Sequence, residues 1–348
     1  MARYDAFLLV SFGGPEGPED VIPFLQNVTA GRGVPPERLE QVAEHYYRFG
    51  GVSPINQQCR DLLAAVEKEF AATGISLPVY WGNRNWQPYL PDTLAKMAAD
   101  GVTSALAFVT SAYSSFSSCR QYLGDIEAAR TAVGPAAPHV DKIRQFFNHP
   151  GFIEPNASAI AAAASSLAES GADGWDLVFT AHSIPAAMSE ASGPAGAGGG
   201  AYPAQLADAA GLVAARLGYQ RPWRLAYSSR SGPPAQPWLE PDINDCLAEL
   251  AGSGSRAVVV SPIGFISDHM EVRFDLDVEA ADMARRLGLE FARAATPGTD
   301  PRFVSMIGDL VRERLDGAAP VSLGTLGAGT GSCPPGCCAL GMRRPAAR

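Results

Sequence analysis

Residues 177–185 read LVFTAHSIP, and this stretch indicates how the chain folds. Its first five residues are largely apolar without strict alternation, which is typical of a strand buried on both faces of a parallel sheet. Similar short runs recur, and stretches of helix length separate them, so the pattern predicts an α/β fold with parallel sheets. The predicted strands are 6–10, 78–81, 105–110, 177–181, 223–227 and 257–261, and the predicted helices are 92–100, 124–133, 153–170, 205–217, 242–250 and 301–315.

The strand–helix pattern runs through the chain twice, over about residues 3–150 and 172–315. We therefore expect two similar doubly wound lobes with a cleft between them, assigned to residues 1–155 and 156–316. Residues 317–348 are predicted to be a flexible linker and a Cys-rich tail. Ligands of such sheets bind beyond the carboxyl ends of the strands, so the informative residues should directly follow strands.

The composition argues against several classes of protein. The 348 residues carry 27 Lys and Arg against 36 Asp and Glu, which gives a net charge of −9, and no basic run suits nucleic acid. No apolar run reaches the roughly 18 residues of a membrane-spanning helix, and the first residues do not resemble a secretory signal. The sequence therefore predicts a soluble cytoplasmic protein, with peripheral membrane contact through an apolar lip left open.

A histidine directly follows the strand predicted at residues 177–181. The imidazole of His182 is thereby placed at the carboxyl end of a strand, and imidazole is both a base near neutral pH and a common metal ligand. A loop histidine with satisfied hydrogen bonds explains the position equally well. Ser183 beside it is not part of a G-x-S-x-G motif, so the pattern gives little support to a hydrolase triad.

Three acidic residues follow the strand predicted at residues 257–261. Glu271, Asp275 and Glu279 are each four residues apart, so on a regular α-helix they share one face. Like charges at this spacing repel each other unless a cation or a proton relieves them. The arrangement predicts a path for a cation or for protons that leads from Glu271, and a solvated acidic face is the alternative.

Two further strand ends carry polar and aromatic side chains together, in residues 83–86 (NRNW) and 111–122 (SAYSSFSSCRQY). Aromatic rings can stack on a flat ligand, while hydroxyl groups and arginines bind its carboxylates. Residues 11–15 (SFGGP) lack the glycine spacing of a phosphate-binding loop, so we interpret them as a tight turn that lets a flat ligand approach the backbone. Each segment alone is an ordinary loop, but together they favour one shared site for a flat anionic ligand.

Four segments of the chain together resemble the ferrochelatase family. They are residues 11–15 (SFGGP), 49–55 (FGGVSPI), 181–185 (AHSIP) and 264–271 (GFISDHME), and the resemblance extends over about residues 4–315. It implies two Rossmann-like lobes around a porphyrin cleft and an enzyme of haem biosynthesis that inserts Fe²⁺ into a porphyrin. The pattern is most similar to the Gram-positive branch of the family, whose substrate is coproporphyrin III.

The resemblance also implies roles for individual residues. His182 and Glu271 correspond to the pair that handles iron, and Asp275 and Glu279 correspond to the acidic residues behind that glutamate. Some relatives have a tyrosine as an axial iron ligand where this chain has Phe12, and a phenyl ring cannot ligate iron. Coordination of the product iron must therefore rely on His182, on water, or on no ligand at that face.

Ser53 and Tyr122 fall where the family contacts the propionates of the macrocycle, and Arg32 and Arg48 are weaker candidates nearby. The resemblance further suggests transient contacts with other enzymes of the haem pathway. Two other functions stay open at this point. One is a cobalt or nickel chelatase of the same superfamily, and the other is a porphyrin or haem carrier without turnover. A carrier has no need of the acidic ladder, which is the set of Glu271, Asp275 and Glu279.

The tail contains three closely spaced cysteines, Cys333, Cys337 and Cys338. Four thiolates are the usual ligands of a [2Fe–2S] cluster, and some ferrochelatases carry such a cluster at the C-terminus. We assign the fourth thiolate to Cys119, in a loop after a strand, because the position where some relatives place a distant ligand is Pro155 here. A zinc site uses the same ligands, and a tail with free thiols is the other alternative.

Overall fold

Parallel strands form the centre of the protein in a computed structural model, which describes residues 4–169, 174–194, 196–232, 235–329, 331 and 333–340. The strands are Ala6–Ser11 (β1), Val79–Asn83 (β2), Ser104–Val109 (β3), His139–Lys142 (β4), Asp176–His182 (β5), Trp223–Ser228 (β6), Ala257–Ser261 (β7) and Glu290–Arg293 (β8). In this part of the chain they form two parallel four-stranded sheets, in the orders β2-β1-β3-β4 and β6-β5-β7-β8. The predicted α/β fold with parallel sheets is confirmed.

Helices connect successive strands and cover the sheets. They are Val21–Thr29 (α1), Pro36–Tyr47 (α2), Ile55–Thr73 (α3), Leu90–Ala99 (α4), Gln121–Val133 (α5), Pro150–Glu169 (α6), Ala186–Glu190 (α7), Ala201–Leu217 (α8), Ile243–Gly252 (α9), Met270–Phe274 (α10), Ala281–Arg286 (α11) and Pro301–Leu315 (α12). Two π-helical segments, Phe116–Arg120 and Asp275–Ala280, directly precede α5 and α11. No helix in the described residues is both long and apolar enough to cross a membrane.

The central strands are buried along most of their length, as their continuous apolar sequences predict. Every residue of β1 and of β7 is buried. The edge strands β4 and β8 read HVDK and EFAR and are half-buried or exposed. These two strands were missed by the sequence analysis, because an edge strand needs no continuous apolar run.

The two sheets share one hydrophobic core. Phe7 and Phe108 of the first sheet belong to the same buried cluster as Phe179 of the second. The Tyr113 hydroxyl donates a hydrogen bond to the carbonyl of Ile263 at 2.9 Å, which joins the loop after β3 to the loop after β7. The carboxyl ends of the two sheets therefore face each other at close range.

The chain passes from one sheet to the other along α6, and the lobe boundary predicted between residues 155 and 156 lies inside this helix. Near its end the chain returns, since α12 packs against both α3 and α6. The described part of the tail then lies along the body, where Asn148 Nδ2 donates to the carbonyls of Leu323 and Gly327 at 3.1 and 2.8 Å. Residues 330, 332 and 341–348 of the predicted tail lie outside the described residues.

Candidate active site

An imidazole and a carboxylate meet at the carboxyl ends of the second sheet. His182 is the last residue of β5, and Glu271 lies in the first turn of α10, which follows β7. His182 Nε2 lies 3.2 Å from Glu271 Oε1. The sequence placed both residues after strands, and the fold brings them into direct contact.

Each member of this pair shifts the pKa of the other. Burial disfavours the charged imidazole, but the Glu271 carboxylate outweighs burial and raises the pKa of His182 to about 9. Burial also disfavours the carboxylate, but the charge and hydrogen bond of His182 outweigh it and lower the pKa of Glu271 to about 2. The two form an ion pair at neutral pH, and solvent reaches it because the side chains are 30% and 47% exposed.

The backbone around His182 fixes the orientation of its ring. His182 Nδ1 is hydrogen-bonded to the carbonyl of Ser183, and the Tyr202 hydroxyl donates to the carbonyl of His182 at 2.9 Å. Because a carbonyl only accepts, Nδ1 carries the proton in the neutral imidazole. Nε2 is then the nitrogen that can accept a proton or bind a metal.

The acidic residues behind Glu271 do not lie on a regular α-helix, which corrects the expectation from their spacing. Asp275 and Glu279 lie in the π-helical segment Asp275–Ala280. Such turns are rare in proteins, and where they occur they are often found at functional sites. Burial, with the charges of Glu271 and Glu279, raises the pKa of Asp275 to about 7, although the Ser229 hydroxyl donates a hydrogen bond to it. Partial burial and the nearby charge of Asp242 also raise the pKa of Glu279. The side chain of Glu279 nevertheless reaches the surface.

Helix α2 adds two groups to the site that the sequence analysis missed. His45 stacks on Phe274 with a ring separation of 3.6 Å. Tyr46 is half-buried, and burial together with the charges of Glu271 and Asp275 raises its pKa. The available signal was their position, because the two aromatic residues lie four and three residues before the 49–55 motif.

The proposed propionate contacts lie at the carboxyl ends of the first sheet. Ser53 is buried against Gly14, and its amide donates to the carbonyl of Pro15 at 2.9 Å. Tyr122 is buried beneath the Arg84 guanidinium, which lies 4.4 Å from its ring centroid. In the described part of the chain, no hydrogen bond or ion pair joins either residue to the His182–Glu271 pair.

Aromatic and cationic neighbours surround Phe12. Its ring packs edge-on against Phe24 with centroids 6.3 Å apart. The Arg84 guanidinium lies 5.6 Å from its centroid. Arg48, a weaker candidate, lies over the Phe274 ring at 5.8 Å, beside the acidic residues. Arg32 is exposed.

The four cysteines singled out in the sequence lie together. Cys119 Sγ is 3.5 Å from Cys333 Sγ, and the Sγ atoms of Cys337 and Cys338 are 3.9 Å apart. Hydrogen bonds from Cys333 and Cys338 lower the pKa of Cys119, and Gln145 Nε2 donates to its sulfur at 2.9 Å. All are free thiols, and within the described residues no three His, Cys, Asp or Glu side chains are arranged as a metal ligand set.

Two solved structures share this fold. The chain is similar to the sirohydrochlorin chelatase SirB of Bacillus subtilis subspecies spizizenii in complex with cobalt, with a TM-score of 0.50 and 11% identity over 90% of this chain and 96% of that one. It is also similar to SirB from Bacillus subtilis with Fe³⁺, with a TM-score of 0.54 and 10% identity over 89% and 95% of the two chains. At such low identity the likeness establishes the fold alone.

Sequence comparison defines the family more narrowly. The ferrochelatase family model matches residues 4–315. The chain is 58% identical to the coproporphyrin III ferrochelatase of Nocardia farcinica, over 99% of this chain and 98% of the relative. It is 52% identical to that of Streptomyces coelicolor over 99% and 96% of the two chains, and 52% identical to the ferrochelatase of Rhodopirellula baltica over 98% and 95%. The chain belongs to the ferrochelatase family and is therefore a metal chelatase.

Proposed function

We propose that this protein inserts Fe²⁺ into coproporphyrin III to give Fe-coproporphyrin III. The names of relatives that are 58% and 52% identical over nearly the whole chain support this substrate. The observation that carries the proposal is the ion pair of His182 and Glu271, whose Nε2 and Oε1 atoms lie 3.2 Å apart at the carboxyl ends of the second sheet. One imidazole and one carboxylate suit a metal that must be bound and then released to the macrocycle.

Fe²⁺ is a substrate here, and its arrival changes the protonation of the pair. Metal ligands must be deprotonated, so binding of the cation releases the proton that His182 holds at rest. The Nε2 atom is the nitrogen available for the metal, because Nδ1 is engaged by the carbonyl of Ser183. Glu271 supplies a carboxylate that is ionised at neutral pH, since its pKa is lowered to about 2.

Insertion also requires that the pyrrole protons leave the site. A group with a pKa near the working pH is the most effective acceptor and donor of protons. Asp275 meets this condition, since its pKa is raised to about 7. Glu279 lies four residues further along the π-helical segment and is exposed. We assign the order Glu271, Asp275, Glu279 to the path by which protons reach solvent.

We assign propionate contacts to the hydroxyl groups of Ser53 and Tyr122. Ser53 precedes α3 and Tyr122 lies in the first turn of α5, on the side of the protein where Phe12 and Arg84 also lie. Coproporphyrin III carries four propionates, so cationic and hydroxyl groups around the cleft favour it over a porphyrin with two.

A Soret-band assay with purified protein tests the substrate. We expect a higher kcat/KM for Fe²⁺ insertion into coproporphyrin III than into protoporphyrin IX, and the reverse order would show that the substrate is wrongly assigned. Faster insertion of Co²⁺ or Ni²⁺ than of Fe²⁺ would favour the alternative chelatase. Tight porphyrin binding without turnover would indicate a carrier. We also propose that the protein is located in the cytoplasm, which cell fractionation tests. Transient contacts with other haem-pathway enzymes are part of the same proposal, and cross-linking tests them.

We further propose that the four clustered cysteines ligate a [2Fe–2S] cluster. Support comes from the donor set, because Cys119, Cys333, Cys337 and Cys338 supply four thiols from two distant chain segments. Four thiolates are the usual complement for such a cluster. When bound, the cluster would supply an electron-transfer centre and a covalent tie between the tail and the π-helical segment Phe116–Arg120.

Anaerobic purification without chelators tests the cluster. We expect visible absorption and acid-labile sulfide in the wild type, and their loss in Cys119→Ser. The matched control is Cys246→Ser, because Cys246 is buried in a separate core cluster of α9. A colourless wild type without labile sulfide would exclude the cluster, and stoichiometric zinc would indicate the alternative metal.

A further inference from the structure

A largely buried arginine bridges two carboxylates beside the acidic ladder. Arg293 is the last residue of β8, and its side chain is 16% exposed. It donates to Asp268 Oδ2 from Nη2 at 2.9 Å and to Asp268 Oδ1 from Nη1 at 3.3 Å. Its Nε and Nη2 atoms also bind both carboxylate oxygens of Asp277. The guanidinium thus holds two carboxylates bidentately, which the planar fork of arginine allows and an ammonium group does not.

Asp268 and Asp277 lie on either side of Glu271 and Asp275 in the sequence. Asp268 precedes Glu271 by three residues, and Asp277 follows Asp275 by two. Residues 268–277 include the whole of α10 and the start of the π-helical segment. Because one guanidinium ties both ends of this stretch, the stretch cannot slide or rotate without breaking charge-assisted hydrogen bonds.

The bridge is also anchored to its surroundings through Asp268. The Thr296 hydroxyl donates to Asp268 Oδ1 at 3.1 Å, in the segment after β8. The amide of Asp268 donates to Gln58 Oε1 at 2.8 Å, and Gln58 lies in α3 beside the first sheet. The bridged stretch is therefore fixed relative to both sheets.

We propose that Arg293 is a positioning residue that holds Glu271 and Asp275 in register with His182. Its bonds to Asp268 and Asp277 fix the start and the end of the stretch that carries both acids. The inference rests on the proposed function, since it acts through the metal-handling role of Glu271. The loss of outer groups that orient metal ligands typically costs about 10- to 100-fold in activity or metal affinity.

Arg293→Lys keeps the positive charge but replaces the planar guanidinium with an ammonium group, which cannot bind two carboxylates bidentately. We expect kcat for Fe²⁺ insertion to fall about 10- to 100-fold, while KM for the porphyrin stays unchanged, because no propionate contact is altered. The matched control is Arg285→Lys, which makes the same change in an exposed Arg–Asp pair of α11 and should leave turnover unchanged. Asp277→Asn is a second variant, because it removes the charge of one arm of the bridge and leaves Arg293 paired with Asp268. The same carboxylate also faces Arg273 at 2.9 Å, so the variant weakens that ion pair as well.

A double-mutant cycle with Glu271→Gln separates positioning from a general loss of stability. If Arg293 acts through Glu271, Arg293→Lys should cost little further activity once Glu271 is Gln, so the two losses are not additive. Additive losses, or near wild-type kcat in both Arg293→Lys and Asp277→Asn, would overturn the positioning role of Arg293 and leave the proposed metal centre standing. Wild-type turnover in Glu271→Gln would instead overturn the proposed metal centre.

Discussion

At the scale of single residues, the proposed function assigns metal handling most directly to His182. We expect His182→Ala to lose at least about 100-fold in kcat, since one change removes both the proposed metal ligand and a proton acceptor. Porphyrin binding should survive, because the aromatic and polar groups of the first sheet are untouched. The Soret band measures turnover, and quenching of porphyrin fluorescence measures binding.

Two acidic variants are the controls for this prediction. Glu271→Gln should resemble His182→Ala, because it removes the partner that lies 3.2 Å from the imidazole. Glu279→Gln should lose less, because Glu279 is exposed at the outer end of the path and water can replace it. Near wild-type turnover in His182→Ala would contradict the proposed centre.

His149 makes stability depend on pH. It is buried, and burial with the nearby charge of Arg144 lowers its pKa from 6.5 to about 4. Between these two pKa values the unfolded chain binds a proton that the folded chain does not, so stability falls as the pH falls. We expect a loss of about 2 kcal/mol between pH 7 and pH 5 from this residue, measured by urea unfolding.

The comparison that isolates this effect is the pH slope of His149→Gln. Glutamine does not titrate, so the variant should lose less stability between pH 7 and pH 5 than the wild type, whatever its stability at pH 7. His139→Gln is the control, because the His139 side chain is 61% exposed. Equal slopes for the wild type and His149→Gln would show that His149 is protonated in the folded protein.

The sequence predicted some residues of the site because of where strands end. His182 ends a buried strand and the acidic residues lie in the segment after another, so local pattern alone placed them at the ligand-binding edge. His45, Tyr46 and Arg293 were not predictable in this way, because their contacts join segments that are far apart in sequence. Only the folded chain brings such groups together.

At the scale of secondary structure elements, apolar continuity predicted the four central strands and the edge strands β2 and β6, and it missed the edge strands β4 and β8. The strand β7 was predicted with its observed bounds, as was the helix α12. The edge strand β8 contains charged residues at both ends, so nothing in its sequence separates it from a loop. The four-residue spacing of the acids suits a regular α-helix and does not reveal the π-helical segment Asp275–Ala280.

The tail is the element whose attachment can be tested most directly. Asn148 is fully buried, and its amide donates to two carbonyls of the tail, at Leu323 and Gly327. Asn148→Ala removes both hydrogen bonds, each worth about 1 kcal/mol, so the tail should detach more often. We expect faster thermolysin cleavage near Leu323, followed by mass spectrometry.

A surface variant provides the comparison for this experiment. Gln220→Ala removes an exposed hydrogen bond to the carbonyl of Gly218 and lies away from the tail, so its cleavage rate should match the wild type. An unchanged cleavage rate in Asn148→Ala would mean that the tail is held chiefly by other contacts, such as that between the amide of Cys338 and the carbonyl of Gly193 at 2.9 Å.

At the scale of the whole molecule, the repeated strand–helix pattern predicted two sheets but not how they meet. Their relative placement depends on contacts such as the hydrogen bond from Tyr113 to Ile263, and on a core that includes Phe108 and Phe179 from opposite sheets. These are long-range packing contacts, which the periodicity of a single segment does not encode.

This shared core predicts that both sheets unfold in one transition, although the sequence divides into two similar halves. A cluster that crosses both sheets cannot be broken in one without exposing apolar surface of the other. Hydrogen exchange in increasing urea should therefore show amides of β1 and β5 losing protection at the same concentration. Tyr113→Phe leaves the buried carbonyl of Ile263 without its donor, which costs about 1–3 kcal/mol, so both strands should shift together to lower urea. If β5 lost protection well before β1, the lobes would be separate folding units and the shared core would contribute little to stability.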